Sequence, residues 1–132
     1  MYAIGLDYGT NSVRAIVVHC KTGEVCGSGV YAYVHGEKGV IGNDTDPNIA
    51  RQHPADYLTG LEITIKSALS EAGISGKNVI GIGVDGTAST PIPLDEQGQP
   101  LAFCETFKGH LAALAWLWKD HTASSEAKEI TE

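Results

Sequence analysis

Three consecutive segments decide the fold: Tyr2-Ala3-Ile4-Gly5-Leu6, then Asp7-Tyr8-Gly9-Thr10-Asn11-Ser12, then Val13-Arg14-Ala15-Ile16-Val17-Val18. The first and third are short, apolar and rich in β-branched residues, so they predict two β-strands joined by a hairpin turn. In that turn we expect Gly9 to supply the backbone freedom of a tight turn and Asn11 to tolerate the left-handed region.

The polar segment carries more chemistry than a turn requires. Asp7 ends a buried strand, and Thr10 and Ser12 offer hydroxyl groups. Converging backbone amides can bind an anion, and an adjacent carboxylate can hold a hydrated divalent cation. An ordinary hairpin with an Asx-type turn is the alternative, and Asp-x-Gly-Thr alone does not separate the two. Ser12 and Arg14 at fixed offsets favour binding of a polyphosphate with its Mg²⁺.

Composition narrows the class of protein and of partner. The 132 residues, 42% hydrophobic and 19% charged, predict one globular domain with a sizeable core. A net charge of -7 argues against nucleic acid or an anionic membrane as the main partner. No run approaches the ~20 apolar residues of a membrane span, and no basic leader precedes the first strand. Cysteines without close pairs and histidines without metal-ligand spacing favour a reducing cytoplasm and no zinc site.

The middle of the chain predicts a mixed sheet. A third strand around Val25 to Val34 would complete an antiparallel meander. A helix is predicted from about Pro54 to Ala72, with Gly73 as its cap. Its apolar stripe consists of Leu58, Leu61, Ile65, Ala68, Leu69 and Ala72. The next segment, Val79 to Val84, is apolar throughout and predicts a strand covered on both faces, which the helix would reach by a crossover.

The last forty residues predict shorter elements. Ile92 to Asp95 is expected to be a short edge strand, because a proline cannot sit in a central ladder. Glu96 to Gln99 is expected to be a turn. Two helices are predicted after it, from His110 to Lys119 and from about Ser124 to Glu132.

A second candidate site follows the apolar strand, at Gly83-Val84-Asp85-Gly86-Thr87-Ala88-Ser89-Thr90-Pro91. In open α/β sheets, ligands bind beyond the carboxyl ends of the strands. Small residues there would let a polyol approach the backbone closely. A plain strand-to-strand loop is the alternative, and spacing alone favours that loop.

Four blocks of the sequence carry a resemblance to one family: Ile4 to Ala15, Arg51 to Tyr57, Ile82 to Pro91 and Leu117 to Thr122. In the first block, Asp7-x-Gly9-Thr10-x-Ser12-x-Arg14 resembles the first phosphate motif of the FGGY carbohydrate kinases, within the actin-like ATPase superfamily. In order and spacing, all four blocks are similar to one branch of that family, which phosphorylates the ketopentose L-ribulose. The block Leu117-Trp118-Lys119-Asp120-His121-Thr122 separates that branch from the glycerol and xylulose kinases.

This resemblance implies a fold, cofactors and site residues. The expected fold is α/β, a ribonuclease-H-like or actin-like ATPase domain whose mixed sheet combines an antiparallel meander with a helical crossover. The expected cofactors are ATP and Mg²⁺, with Asp7 as a catalytic residue that holds the metal through water. The residues implied for the ATP phosphates are Gly9, Thr10, Asn11, Ser12 and Arg14. The residues implied for the sugar are Thr87, Ala88, Ser89, Trp118, Lys119 and Asp120.

The resemblance also implies that residues 1–132 are part of the N-terminal domain of a two-domain kinase. In FGGY kinases, the catalytic aspartate and the adenosine site come from sequence beyond the matching region, so the chain alone is expected to be inactive. The expected partners are ATP and a ketopentose, without nucleic acid or membrane, and the chain is expected to form a homo-oligomer. Two alternatives stay open: a non-catalytic actin-like nucleotide-binding module and a sugar-sensing fragment. Phe103 to Ala115 departs from the family, because it lacks the Asn-Pro-Asn-like run expected there.

Overall fold

The computed structural model describes all 132 residues, which form two compact units. Unit 1 comprises Met1–Val34 and Ala55–Thr87, and unit 2 comprises His35–Pro54 and Ala88–Glu132. In chain order the main elements are β1 (Tyr2–Tyr8), β2 (Ser12–His19), β3 (Val25–Ala32), β4 (Arg51–Gln52), α1 (Pro54–Ala72), β5 (Val79–Gly86), β6 (Ala115–Trp116) and α2 (Ser124–Thr131). Neither helix combines the length and the apolar content that crossing a bilayer would require.

Unit 1 is built on a four-stranded sheet with the strand order β3-β2-β1-β5. β1 pairs antiparallel with β2, and β2 pairs antiparallel with β3. β5 pairs parallel with β1 after the chain has passed through α1. The predicted meander, the predicted helix and the predicted crossover are therefore confirmed, and together they give a mixed α/β sheet.

The core of unit 1 lies between α1 and one face of this sheet. The sheet contributes Ile4, Leu6, Val13 and Val17, all of which are buried. On β3 the inward positions are Gly27 and Gly29, while Val30 points to solvent. A methyl group at Gly27 would lie 2.3 Å from the carbonyl oxygen of Ala68, so only glycine allows the helix to lie this close to the strand.

The apolar stripe predicted for α1 is partly wrong. Leu58 is 58% exposed, while Gly60 and Thr64 occupy buried positions of the helix. A methyl group at Gly60 would lie 2.3 Å from the side chain of Val13, so this position accepts no larger residue. The buried hydroxyl of Thr64 donates to the carbonyl oxygen of Gly60 at 2.7 Å, which satisfies its hydrogen-bonding group inside the core.

The prediction that β5 is covered on both faces is wrong for this chain. β5 lies at the edge of the sheet, with β1 as its neighbour on one side. Its residues Ile80, Ile82 and Val84 are 63%, 54% and 67% exposed. An uninterrupted apolar run indicated a buried strand, but the closest contacts of α1 are with β2 and β3, and most of β5 is left open.

Unit 2 contains the short pair β4–β6, several 3₁₀ turns and α2. The helix predicted from His110 to Lys119 is wrong: the segment forms a 3₁₀ turn at Leu111–Ala113 and then β6, which pairs antiparallel with β4. The edge strand predicted at Ile92 to Asp95 reduces to an isolated bridge between Leu94 and Pro100. The turn after it is confirmed by a hydrogen bond from the Gly98 amide to the Asp95 carbonyl, and α2 confirms the last predicted helix.

Candidate functional site

The hairpin turn between β1 and β2 is closed by its own backbone. The amide of Gly9 donates to the carbonyl oxygen of Ser12 at 2.9 Å, and the carbonyl oxygen of Asn11 accepts from the amide of Tyr33 at 3.0 Å. Neither Gly9 nor Asn11 has a positive φ, so the predicted use of the left-handed region is wrong. Gly9 instead avoids a tight contact, since a methyl group there would lie 3.3 Å from the Ser12 carbonyl oxygen.

Three charged residues form a row across the sheet beside this turn. Asp7 of β1 is paired with Arg14 of β2 on one side and with Asp85 of β5 on the other. Residues that are paired in register project to the same face, on strands about 4.8 Å apart. All three residues are exposed. The structure therefore places two carboxylates and one guanidinium on one face, where β1 and β5 end.

Asp85 was not predicted to lie beside Asp7, although the sequence contains a signal for it. Both residues end an apolar strand and are followed by glycine and threonine within three positions. Parallel strands end at the same edge of a sheet, so two such endings on parallel neighbours must lie together. In the structure one oxygen of Asp85, Oδ1, accepts from the amide of Gly86 at 2.8 Å, which orients the carboxylate.

The donor set at this edge suits Mg²⁺ in part. Mg²⁺ takes oxygen ligands and usually keeps several waters while one or two carboxylates hold it, and Asp7 and Asp85 are such carboxylates. The chain contains no group of three or more histidine, cysteine, aspartate or glutamate residues that could enclose a metal ion. A groove of about 290 Å³ opens on this part of the sheet and is lined by Gly5, Leu6, Asp7, Arg14, Ala15 and Ile16.

The loop after β5 carries three of the predicted sugar residues. The amide of Thr87 donates to the carbonyl oxygen of Tyr8 at 3.0 Å, which fixes the start of the loop. Ala88 and Ser89 are exposed, and Ser89 has a φ of 59°. A left-handed conformation is uncommon for residues other than glycine, and it often marks a functional loop.

The other predicted sugar residues lie in a tight turn of unit 2. The amide of Asp120 donates to the carbonyl oxygen of Leu117 at 2.8 Å, so Trp118 and Lys119 are the two central residues of a β-turn. Trp118 is 53% exposed, and the Nζ atom of Lys119 lies 5.9 Å from the centre of its ring. The turn therefore presents an indole face and an ammonium group to solvent.

Trp116 has different surroundings. The guanidinium of the buried Arg51 lies 3.5 Å from the centre of the Trp116 ring, and the indole Nε1 donates to the carbonyl oxygen of Ala112 at 3.1 Å. The helix predicted from His110 to Lys119, which contained both tryptophans, does not exist. The exposure of Trp118 supports its predicted role at the sugar, which stays a prediction.

Asp120 is engaged by donors of the protein itself. Its Oδ2 accepts from the amide of Ala50 at 2.8 Å and pairs with Arg51, and its Oδ1 accepts from the amide and the hydroxyl of Thr122. Burial raises the pKa of this carboxyl, but the hydrogen bonds from Ala50, Thr122 and Arg51 outweigh it and lower the pKa to about 2. These contacts give Asp120 a structural task, and its predicted contact with a sugar stays a prediction.

A family model described as the FGGY family of carbohydrate kinases, N-terminal domain, matches residues 2–132. The chain belongs to the FGGY family. Its relatives include the ribulokinase of Shouchella clausii, 41% identical over 98% of this chain, and the ribulokinase of Halalkalibacterium halodurans, 38% identical over 99% of it. The chain spans 24% of the length of each of these two FGGY proteins.

Solved structures of FGGY kinases confirm the predicted actin-like fold. A xylulose kinase from Rhodospirillum rubrum matches with a TM-score of 0.76 at 22% identity, over 99% of this chain and 23% of that one. A glycerol kinase from Plasmodium falciparum, solved with ADP, matches with a TM-score of 0.70 at 15% identity, over 98% and 22%. At these identities the similarity establishes the fold alone. The predicted resemblance to the L-ribulose branch is confirmed by the ribulokinase relatives.

Proposed function

We propose that this chain is the N-terminal portion of an ATP-dependent sugar kinase that phosphorylates a ketopentose, converting L-ribulose to L-ribulose 5-phosphate. The observation that carries the proposal is the row Arg14, Asp7 and Asp85 beside the Gly9 turn, in a chain 41% and 38% identical to two ribulokinases. Such a row offers one cation for phosphate oxygens and two carboxylates for a metal ion. The row alone would also suit a nucleotide-binding module without chemistry, so the sugar must be tested directly.

In this proposal the ATP phosphates face the turn and the row. Arg14 would neutralise phosphate charge, and the hydroxyl groups of Thr10 and Ser12, together with Asn11, would donate to phosphate oxygens. Gly9 has no side chain to obstruct the phosphates, while its amide is already bonded to the carbonyl oxygen of Ser12. Mg²⁺ would neutralise the charge that develops on the transferred phosphoryl group. Asp7 would hold Mg²⁺ through water, which matches its exposed position at the end of β1.

The sugar is proposed to contact Ala88 and Ser89 of the loop after β5 and the Trp118–Lys119 turn, all of which belong to unit 2. The C–H face of a ketopentose can stack on the exposed indole of Trp118, while its hydroxyl groups need polar partners. Lys119 and the backbone around Ser89 can supply them. An aromatic surface beside a few placed polar groups is the usual composition of a small-molecule site.

Self-association is proposed for the isolated chain. Ile80, Ile82 and Val84 form an exposed apolar row on the edge strand β5. Exposed apolar rows on unpaired edge strands favour association between copies. Sedimentation of the chain at several concentrations tests this, and a monomer throughout would contradict it.

The kinase proposal is tested with a full-length protein that contains this chain. Turnover is measured in a coupled assay with L-ribulose, D-xylulose and glycerol at equal concentrations. The expected result is the largest kcat/KM for L-ribulose, and its loss when Asp7 is replaced by alanine. Asp44→Ala, an exposed carboxylate in a loop of unit 2, is the matched control. Binding of ATP or L-ribulose without turnover of any sugar would favour the nucleotide module or the sugar sensor instead.

A further inference from the structure

We infer that Asp120 and Arg51 are positioning residues, a buried ion pair that holds the Trp118–Lys119 turn in the shape that receives the sugar. The identity of the sugar in this inference rests on the proposed function. All the contacts from which it is argued lie within unit 2. It reassigns Asp120 from a sugar ligand to a residue that acts through Trp118 and Lys119.

The first step of the argument is that the turn is attached to a single distant segment at several points. The amide of Leu117 donates to the carbonyl oxygen of Ala50 at 3.0 Å, and the amide of Ala50 donates to the carboxylate of Asp120 at 2.8 Å. One residue further on, the amide of His121 donates to the carbonyl oxygen of Asn48 at 2.9 Å. Residues 48–51 thus fix both the entry and the exit of the turn.

The second step is that the ends of the turn are buried while its centre is exposed. Leu117 is 2% exposed, and the side chain of Asp120 is 5% exposed. Trp118 and Lys119 between them are exposed. A turn held in this way fixes the backbone from which its central side chains project, which lowers the entropic cost of binding a ligand.

The third step concerns the charge of Arg51. This residue is 4% exposed, and its guanidinium lies between the ring of Trp116 and the carboxylate of Asp120. It also donates weakly to the hydroxyl of Thr122 at 3.5 Å, while its Nε is buried without a hydrogen-bond partner. A buried charge needs a counter-charge, so Arg51 depends on Asp120. Removing either charge is expected to release the turn.

The test has two arms. In the first, hydrogen exchange is measured on the purified chain for the amides of Ala50, Leu117, Asp120 and His121. Asp120→Asn is expected to speed exchange at these amides at least tenfold, and Arg51→Met is expected to do the same. In the second arm, both variants of the full-length protein are expected to raise the KM for L-ribulose about tenfold, with kcat and the KM for ATP changed less than threefold.

Three further variants serve as a milder substitution, a test of coupling and a control. Thr122→Val keeps both charges and removes one donor, so it supplies a milder version if Asp120→Asn unfolds; it should raise exchange and KM together by a smaller factor. The double variant Arg51→Met/Asp120→Asn is expected to raise the exchange rates and the KM for L-ribulose no more than either single variant does. The effects of two substitutions in one ion pair do not add, because the first already breaks the pair. Glu105→Gln, in the exposed pair with Lys108, is the control and is expected to change neither quantity.

Two outcomes would overturn the inference. If Asp120→Asn raises the KM for L-ribulose while Arg51→Met and Thr122→Val leave it unchanged, Asp120 contacts the sugar directly. If exchange accelerates in both charge variants but the KM stays normal, the pair is merely structural. Absence of turnover by the unaltered full-length protein is a different result: it rejects the proposed function, and with it a role for the pair toward sugar.

Discussion

A methyl group placed on Gly29 of β3 would lie 2.4 Å from the carbonyl oxygen of Thr64 in α1. One helical turn further along, the same relation joins Gly27 and Ala68. The backbone of the helix therefore rests directly on the backbone of the strand. This close approach explains why the inward face of β3 carries glycine where a sheet normally carries branched side chains.

Alanine at either glycine is expected to destabilise unit 1. Because the obstructing atoms belong to the helix backbone, Gly29→Ala or Gly27→Ala must push α1 away, and overpacking of this kind costs about 1–3 kcal/mol or more. Gly81→Ala on β5 is the matched control, since nothing lies within 4 Å of its added methyl group. Urea unfolding curves give the three free energies of unfolding. Equal curves for Gly29→Ala and Gly81→Ala would contradict the close approach.

Removing the carboxylate of Asp7 is expected to abolish turnover without unfolding the protein. Asp7 is exposed, so Asp7→Ala removes little buried surface. Loss of a group that positions transition-state charge typically costs about 100-fold or more in kcat. Steady-state kinetics of the full-length protein and its melting temperature are compared with those of Asp44→Ala. Near-normal turnover of Asp7→Ala at saturating ATP would remove Asp7 from the site.

The two tryptophans are expected to give opposite phenotypes. Trp118→Ala removes a half-exposed ring, so it should raise the KM for L-ribulose and leave the melting temperature almost unchanged. Trp116→Ala removes the ring that covers Arg51, and loss of a packed tryptophan costs about 3 kcal/mol. Kinetics and thermal melting of each variant separate the two roles. A large loss of stability for Trp118→Ala with an unaltered KM would reverse the assignment.

Stability is expected to depend on the ionisation of Asp120 in acid. Its pKa is lowered from 3.8 to about 2 in the folded state, so its contribution is complete above about pH 4. The contribution is lost as the pH falls from about 4 to about 2, because the unfolded state then binds a proton that the folded state does not. Urea unfolding of the protein and of Asp120→Asn is compared between pH 2 and pH 6. The difference in free energy of unfolding should shrink toward pH 2, and a constant difference would contradict the assignment.

The 132-residue chain by itself is expected to show no measurable sugar kinase activity and to bind ATP weakly. The row at Asp7 can contact phosphates. We have assigned no residue of the chain to binding the adenine or to accepting the proton of the sugar hydroxyl. Loss of a general base typically costs ~10²–10⁴ in rate. A coupled assay with L-ribulose and calorimetry with Mg²⁺-ATP test this directly. Robust turnover would place the base inside the chain, and Asp85 would be the first residue to replace.

Local sequence patterns predicted the main strands and the helix of unit 1. They did not predict structure that depends on hydrogen bonds to residues far away in the sequence. The hairpin and α1 were predicted correctly because strand composition and helix caps act over a few residues. The helix predicted over 110–119 was wrong because the amides of Trp116 and Leu117 bond to Pro91 and Ala50 instead of to their own turn. Apolar spacing of three and four positions does not show where backbone groups find their partners.

In the candidate site, too, residues that are close in sequence could be predicted, and contacts between distant segments could not. Asp7 and Arg14 could be named as candidates from one motif, since both lie on a single hairpin. The neighbourhood of Asp7 and Asp85 depends on the register of two parallel strands, which a single sequence does not give. The task of Asp120 depends on Arg51, a partner from a segment with no local relation to it.

The partners in unit 2 also impose an order on the way the chain can fold. Ala50 and Asp120 are 70 positions apart, and residues of unit 1 lie between them. A chain emerging from the ribosome has all of unit 1 once Thr87 is available, whereas Arg51 acquires its counter-charge only after Asp120 follows. Closing a loop of this length is entropically slow compared with forming a hairpin. During synthesis, the segment around Arg51 therefore stays without its counter-charge until Asp120 has been added, although all of unit 1 is already available.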